Sequence, residues 1–211
     1  MNDIKYYNLD SDELFSMVKF VVEENYNHHQ SDLPQFIGDE ITAMHNEEIS
    51  LSNSKIFVAR DEDYLITGSI RVTRWNKLDV LPTEKIFDID LQQKKFEDMK
   101  IWHIGRFAIK HGIDKTGFLV FKTLMALAIN EVCTSESSVA LAECDVKLLR
   151  TLKLLGIEVT ALSDSINYLG SETIPVLIPF FGLKKFLDKN IHLLKDNLIL
   201  PNRHVIYKKA V

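Results

Sequence analysis

Residues Trp102 to Leu124 read WHIGRFAIKHGIDKTGFLVFKTL, and the fold turns on how this stretch divides. Ile101 to Ile109 is short, apolar-rich and bounded by turn residues, which predicts a strand. His111 to Gly117 carries two glycines and predicts a loop. Phe118 to Val132 is apolar on nearly all sides and too long for an ordinary strand, so it predicts a buried helix. A loop that ends in Gly117 directly before a helix exposes backbone N–H groups where the helix dipole is positive. Such a place can hold a phosphate, with Lys115 and Thr116 as further contacts.

Working outward, Lys55 to Arg60 and Tyr64 to Val72 predict two strands joined by the turn Asp61-Glu62-Asp63, a hairpin. Upstream, Asp10 to Glu13 reads as a helix start, with Leu14, Phe15, Val18, Val21 and Val22 following on one face. Tyr26 to Pro34 reads as a loop holding His28 and His29, and Phe36 to Glu48 as a short helix. Trp75 to Lys100 is a long polar connection with one proline. Downstream, Ser138 to Ala142 reads as a strand and Val146 to Leu155 as a helix closed by Gly156. Ile157 to Ala161 and Ile174 to Ile178 read as closing strands, and a helical region begins at Phe181. Hairpin, strand, buried helix, strand, helix, strand is not the regular alternation of a doubly wound nucleotide fold. It predicts an α/β (α+β) protein with a mixed, mostly antiparallel central sheet and helices on both faces.

With no repeat or Gly/Ser-rich linker, residues 1–211 read as one domain, with a basic C-terminal extension from about residue 184. The net charge of −5 argues against nucleic acid as the main partner. No apolar run is long enough to span a bilayer, and Met1 to Asp10 lacks the pattern of a signal peptide. Cys133 and Cys144 make neither a disulfide framework nor a metal spacing, so a reducing cytoplasm and no metal are expected. His28 and His29 lack a third ligand nearby in sequence.

Five stretches resemble motifs of the GNAT acyltransferase superfamily or of one of its branches. Asp114-Lys115-Thr116-Gly117-Phe118-Leu119 aligns with its Arg/Gln-x-x-Gly-x-Gly/Ala phosphate signature but keeps only Gly117. Asp145 to Ile157 keeps the spacing of a second motif, with Leu152 where the family often has an acid Tyr. Gly68-Ser69-Ile70-Arg71 and Trp102-His103-Ile104-Gly105-Arg106-Phe107 are similar to the Gly-Ser-x-Arg and Trp-Glu-x-Ser-Arg-Phe strands of one branch, the acyl-homoserine-lactone synthases and long-chain N-acyl amino acid synthases. Gly170 to Val176 resembles that branch's closing strand, so the likeness runs roughly from Lys55 to Phe180.

The resemblance implies an N-acyltransferase that moves an acyl group from a thioester, on acyl carrier protein or coenzyme A, to the amine of an amino acid or similar small molecule. It implies that Phe107, Ile109, Lys115, Thr116, Gly117 and Phe118 lie along the donor's pantetheine arm. It also implies a β-bulge on the Trp102 strand, which Gly105 permits. The bulge would free an N–H to polarise the thioester carbonyl. His103 stands where the branch has Glu. An imidazole there can take the amine proton, or it can be an ordinary strand histidine. Strict alternation puts His103 and Arg106 on opposite faces, which the bulge would change. Arg71 and Arg106, inside strands, need anionic partners: a protein carboxylate such as Glu143, or a substrate carboxylate. Lys110, Lys115, Lys122, Lys147, Arg150 and Lys153 form either a rim that steers an acidic carrier protein or a plain solvated face. Phe118, Phe121, Leu124 and Met125 are either acyl-chain lining or core. Two other readings stay open: an acetyl-CoA-dependent small-acyl transferase, and a non-catalytic thioester-binding domain.

Overall fold

The computed structural model describes residues 4–29, 35–51, 53–114, 118–168, 170–196 and 199–200. Among them run β1 (Lys5–Asn8), α1 (Leu14–His29), α2 (Ile37–Ser50), β2 (Ser54–Arg60), β3 (Ile66–Arg74), α3 (Pro82–Phe87), β4 (Lys100–Ile109), α4 (Leu119–Val132), β5 (Ser138–Asp145), α5 (Val146–Leu154), β6 (Thr160–Ala161), β7 (Ile166–Tyr168), β8 (Ser171–Pro179), α6 (Phe180–Asp196) and β9 (Ile199–Leu200). The strands form one sheet in the order β6-β8-β5-β4-β3-β2-β1-β9, with β7 also on β8. Only the β4–β5 and β1–β9 pairs are parallel. This is the mixed, mostly antiparallel sheet expected from the sequence.

Helices cover both faces, and the strands say why. On β2, Phe57 and Ala59 join the cluster built on α4, while Val58 between them joins Val18, Val21 and Val22 of α1 on the other face. A central strand between two helical layers must be apolar on both sides, and residues 57 to 60 of β2 are all buried. The α4 helix is apolar all round because it lies between the sheet and α6, whose Leu183 and Phe186 are fully buried against it. Gly68 lets α4 come this close, since a Cβ there would sit 2.9 Å from Leu124 Cδ1.

Several boundaries differ from the sequence reading. The α1 helix continues to His29, so His28 is helical, and residues 30–34 of the expected loop lie outside the described residues. A four-residue strand, β1, was not foreseen. Ile157 to Ala161 yields only the two-residue β6, because Gly156, at φ +77°, and the Ile157 N–H bond to Leu152 O are spent turning the chain off α5. The polar Trp75–Lys100 connection contains α3 and buries Leu81, Leu91 and Phe96 against Ile101 and Leu141. The basic segment from 184 to 196 is no appendage: it belongs to α6, which packs in the main core. Among the described residues, no helix is long and apolar enough to cross a membrane.

Candidate functional site

The site begins with a break in the sheet. β4 and β5 pair only from Lys100 to His103 against Ser138 to Leu141. Beyond that rung the strands part, and among the described residues β4 from Ile104 to Ile109 has no strand on its β5 side. Two cavities fill the gap. The outer one, about 310 Å³, runs from the end of β4 to the start of α5 and includes Phe107, Ile109, Lys110, Phe118, Asp145 and Lys147. The inner one, about 110 Å³, has Arg106, Glu143, Cys144, Asp145 and Tyr168 in its wall. Its apolar lining comes from both faces of the sheet, with Val21 and Met44 on one side and Met125 and Leu152 on the other. Asn25, Phe107, Asp145 and Leu148 line both cavities, which makes them one cleft.

A β-bulge sits where the strands part. Ser69 opposes Ala108 and Arg71 opposes Gly105, so β4 carries one residue more than β3 between these pairs. Arg106 takes the extra position at φ +52°, and its carbonyl accepts from Ser69 Oγ at 2.8 Å. The bulge turns Arg106 to the face that His103 and Arg71 already share, as the contacts show. Arg71 Nη1 donates to Glu48 Oε1 at 2.7 Å, and Arg106 Nε donates to the same oxygen at 2.6 Å. Arg106 Nη2 donates to Glu47, and Arg71 Nη2 bonds His103 Nδ1 at 2.8 Å. His103 Nε2 lies 2.9 and 3.0 Å from the oxygens of Glu143, which also accepts from the Thr83 hydroxyl. A charged row therefore crosses β3, β4 and β5, roofed by Glu47 and Glu48 of α2.

This row answers the question posed by the two strand arginines. Their partners are Glu48 and Glu47; Glu143 serves His103 instead. The side chains of Arg71, Glu48 and His103 are no more than 1 % exposed. A guanidinium can only donate, so His103 Nδ1 accepts from Arg71 and the ring proton on Nε2 points at Glu143. Both ring nitrogens are engaged, and neither is free to take a proton from an amine in the cleft. Gly105 makes room for the ring, since a Cβ there would stand 2.6 Å from His103 Cε1.

Charge in the row is held by mutual contact. Burial pushes the Glu48 carboxyl up, but Arg71 and Arg106 outweigh it and hold it below its ordinary range. Burial also opposes the charge on Arg106, and Glu48 and Glu47 more than offset that. For Arg71 burial wins, and its pKa falls. Burial would raise the Glu143 carboxyl, yet the contacts from His103 and Thr83 outweigh it and hold it below its ordinary range. Tyr168 is half-buried beside Arg106, and burial raises its phenol, which stays protonated at neutral pH.

Of the residues expected along the donor arm, Phe107, Ile109 and Phe118 line the outer cavity. Lys115, Thr116 and Gly117 lie outside the described residues. At the start of α4, Asp114 Oδ2 accepts from the Phe121 N–H at 2.9 Å. A carboxylate thus occupies one of the N–H groups expected to serve a phosphate. The Ile109 carbonyl is met by His28 Nε2 at 3.0 Å, and Lys147 Nζ donates to the His28 carbonyl at 2.8 Å. Lys110, Lys147, Arg150 and Lys153 are exposed, and the first two reach the outer cavity. Phe121 lines the outer cavity and Met125 the inner one, whereas Leu124 is core. Leu152, in the family's Tyr position, is 2 % exposed. Among the described residues no group of His, Cys, Asp and Glu is placed to hold a metal ion.

Sequence reasoning missed Glu47, Glu48 and Tyr168. Glu47 and Glu48 fall at the end of a segment read only as a short helix, with no spacing that ties them to a strand. Tyr168 belongs to a three-residue strand in a polar segment. The available clue was Arg71 itself, flanked by the apolar Ile70 and Val72 and therefore in need of an acid.

No protein-family profile matches the sequence, and no curated protein matches it. Solved structures do. FeeM, an N-acyl amino acid synthase from uncultured soil microbes, matches over 91 % of this chain and 99 % of its own, at 14 % identity and a TM-score of 0.64. The acyl-homoserine-lactone synthase LasI matches over 96 % and 99 %, at 13 % identity and 0.58. TofI, in a ternary complex with an inhibitor and MTA, matches over 90 % and 99 %, at 12 % identity and 0.59. The gap between β4 and β5, the bulge at its mouth and this near-complete overlap lead to one conclusion: the chain has the GNAT fold, in the form carried by N-acyl amino acid and acyl-homoserine-lactone synthases.

Proposed function

We propose that the protein is an N-acyltransferase that moves an acyl group from a carrier thioester to the amine of an amino acid or similar small molecule. The observation that carries this reading is the continuous cleft where β4 leaves β5, with the unpaired edge of β4 along its floor. The pantetheine arm lies in the outer cavity against Phe107, Ile109 and Phe118. The thioester carbonyl reaches the bulge, where a strand N–H between Gly105 and Phe107 holds the developing oxyanion. The amine nitrogen bonds to the carbonyl carbon, the C–S bond breaks, and the amide and a thiol leave. Tyr168 is a neutral phenol in the inner wall and supplies the proton for the departing sulfur. The amine proton leaves through water beside Glu143 and Asp145. His103, Arg71 and Arg106 are positioning residues: they fix Glu143, the bulge and α2.

Acyl carrier protein is the favoured donor. Coenzyme A brings a diphosphate and a further phosphate, and the Asp114 carboxylate at the start of α4 repels both. A carrier protein brings one phosphodiester, and its acidic surface suits exposed Lys110, Lys147, Arg150 and Lys153. The small inner cavity favours a second reading, acetyl-CoA as donor, because about 110 Å³ is below the size of most ligand pockets, roughly 300 Å³ and up.

Intact-mass analysis after mixing the chain with long-chain acyl carrier protein, acetyl-CoA and an amine mixture separates these. An N-acyl product drawn from the carrier protein is expected. Product from acetyl-CoA alone would replace the donor, and tight thioester binding without product would reduce the chain to a binding domain.

A further inference from the structure

A second depression, of about 680 Å³, lies at the start of β4 beside Trp102, whereas the outer cavity of the cleft lies at the end of β4 beside Ile109. The groove shares no lining residue with either cavity of the cleft. Arg74 opposes Trp102 across the β3–β4 pair, so the two side chains stand on one face of the sheet. Lys55 of β2 opposes Val72 and stands on that face too. The α4 helix over this face stops at Val132, and Glu131 in its last turn forms one side of the groove. Past β3 the chain turns, and the turn is tied down. Asn76 Oδ1 accepts from the Leu78 and Asp79 N–H groups at 2.9 and 2.8 Å, and the Trp75 indole N–H donates to the Asp79 carbonyl at 2.9 Å. Gln92 Nε2 donates to the Lys77 carbonyl at 3.2 Å, which helps hold Lys77 at φ +66° in the wall of the groove.

The charged groups in this wall are Lys55, Arg74, Lys77 and Glu131. The carboxylate is engaged, since Lys55 Nζ lies 2.7 Å from Glu131 Oε2. Arg74 and Lys77 are exposed, and neither charged group has a hydrogen-bond or ion-pair partner among the described residues. Trp102 is half-buried and packs against the main core. Among the described residues no ring or cation is stacked on Trp102 or on Trp75. Two unpaired cations thus stand beside an indole, in a groove whose volume falls in the range of ligand pockets, roughly 300–1,000 Å³. A bare inorganic anion would meet the cations and leave the indole unused. A molecule with an anion at one end and a flat ring at the other uses both. The net charge of −5 turns away a long nucleic-acid strand, so a single nucleotide fits better than a polymer.

We infer that this groove is a second binding site, for an aromatic anion of the nucleoside monophosphate class, with the phosphate on Arg74 and Lys77 and the base on Trp102. The site does not depend on acyl transfer. Trp75 and Trp102 are the only tryptophans of the chain and both line the groove, so indole fluorescence reports its occupancy directly. Three probes separate phosphate from ring: AMP, which carries both, ribose 5-phosphate, which lacks the base, and adenosine, which lacks the phosphate.

Titrated into the full-length chain at low salt, AMP is expected to quench the indole emission and to bind about tenfold or more tighter than either fragment, with an affinity that falls as salt is added. The double variant Arg74→Gln/Lys77→Gln changes two exposed side chains and should fold as wild type does. It should weaken AMP by about tenfold and leave adenosine within about twofold, as calorimetry measures. Lys110→Glu, in the wall of the outer cavity, should leave AMP affinity unchanged. Equal affinity for AMP and ribose 5-phosphate would mean a plain basic patch and overturn the inference. Absence of quenching, or AMP binding that survives the Arg74/Lys77 double variant, overturns it as well. So does AMP binding that is lost in Lys110→Glu, which would place the nucleotide in the cleft.

Discussion

Replacing Arg71 with Met tests whether the charged row is what fixes α2 to the sheet. Met matches the stem of Arg in length and removes the guanidinium. Two bonds go with it: the 2.7 Å contact to Glu48 and the 2.8 Å contact to His103 Nδ1. Glu48 then keeps only Arg106, and its Oε2 is already without a partner. Stranding one member of a buried pair costs about 3–5 kcal/mol. The orphaned His103 nitrogen adds about 1 kcal/mol or more. A loss of roughly 4–6 kcal/mol is a large share of the 5–15 kcal/mol a domain has. The expected drop in Tm is about 10 °C or more for a chain of this size.

Equilibrium unfolding in urea, followed by the fluorescence of Trp75 and Trp102 at the ends of β3 and β4, reads the loss. The double variant Arg71→Met/Glu48→Leu removes the stranded carboxylate and should lie closer to wild type than the single variant. The gap between wild type and Arg71→Met also depends on pH. Glu48 in the folded protein titrates below its ordinary value of 4.5, so its contribution is present above that value and fades as pH falls through it. A single-variant cost under about 1 kcal/mol, or strict additivity in the double, would refute the argument that charge docks α2.

Glu143 is held below its ordinary 4.5 by the contacts from His103 and Thr83, so its contribution is present above pH 4.5 and is lost as pH falls through the lowered value; acid unfolding midpoints of Thr83→Val should therefore lie above those of wild type. Gly105→Ala drives a methyl into His103 and should cost about 2 kcal/mol with a weakened dependence of stability on pH, measured by urea unfolding at two pH values. Tyr168→Phe should lower kcat by about a hundredfold while leaving thioester affinity within twofold, which single-turnover kinetics and calorimetry separate. Charge reversal at Lys110 should raise KM for the carrier protein in a salt-dependent way and leave kcat unchanged.

What could be read from the sequence follows how locally each feature is encoded. The β2–β3 hairpin, β4, α4 and α5 declare themselves by periodicity and by turn residues such as Asp61-Glu62-Asp63 and Gly156. Three residues of the outer cavity, Phe107, Ile109 and Phe118, were within reach of the sequence because they sit next to the strand–loop–helix junction that makes it. The bulge was legible only through resemblance, because nothing in Gly105-Arg106-Phe107 alone says that β3 skips a residue there. The charged row was not legible as a row. Arg71 and Glu48 are 23 positions apart, Arg106 and Glu47 are 59, and no period links them. The same limit explains why His103 looked available: its burial and both its partners come from β3 and β5. β1 escaped because four residues, two of them the buried Tyr6 and Tyr7, are too few to show alternation.

The four rungs that join β4 to β5 have a mechanical meaning. On one side stands an antiparallel plate, β1 to β4; on the other stands a second, β5 with β8 and the short β6 and β7. Lys100 to His103 against Ser138 to Leu141 is the only backbone seam between them among the described residues, and it lies at one end of the gap. A plate held along one short edge turns about that edge. A twist about this seam would widen the cleft with the hydrogen bonds inside each plate left whole, and α4, which packs across both plates with α6 behind it, is what resists that twist.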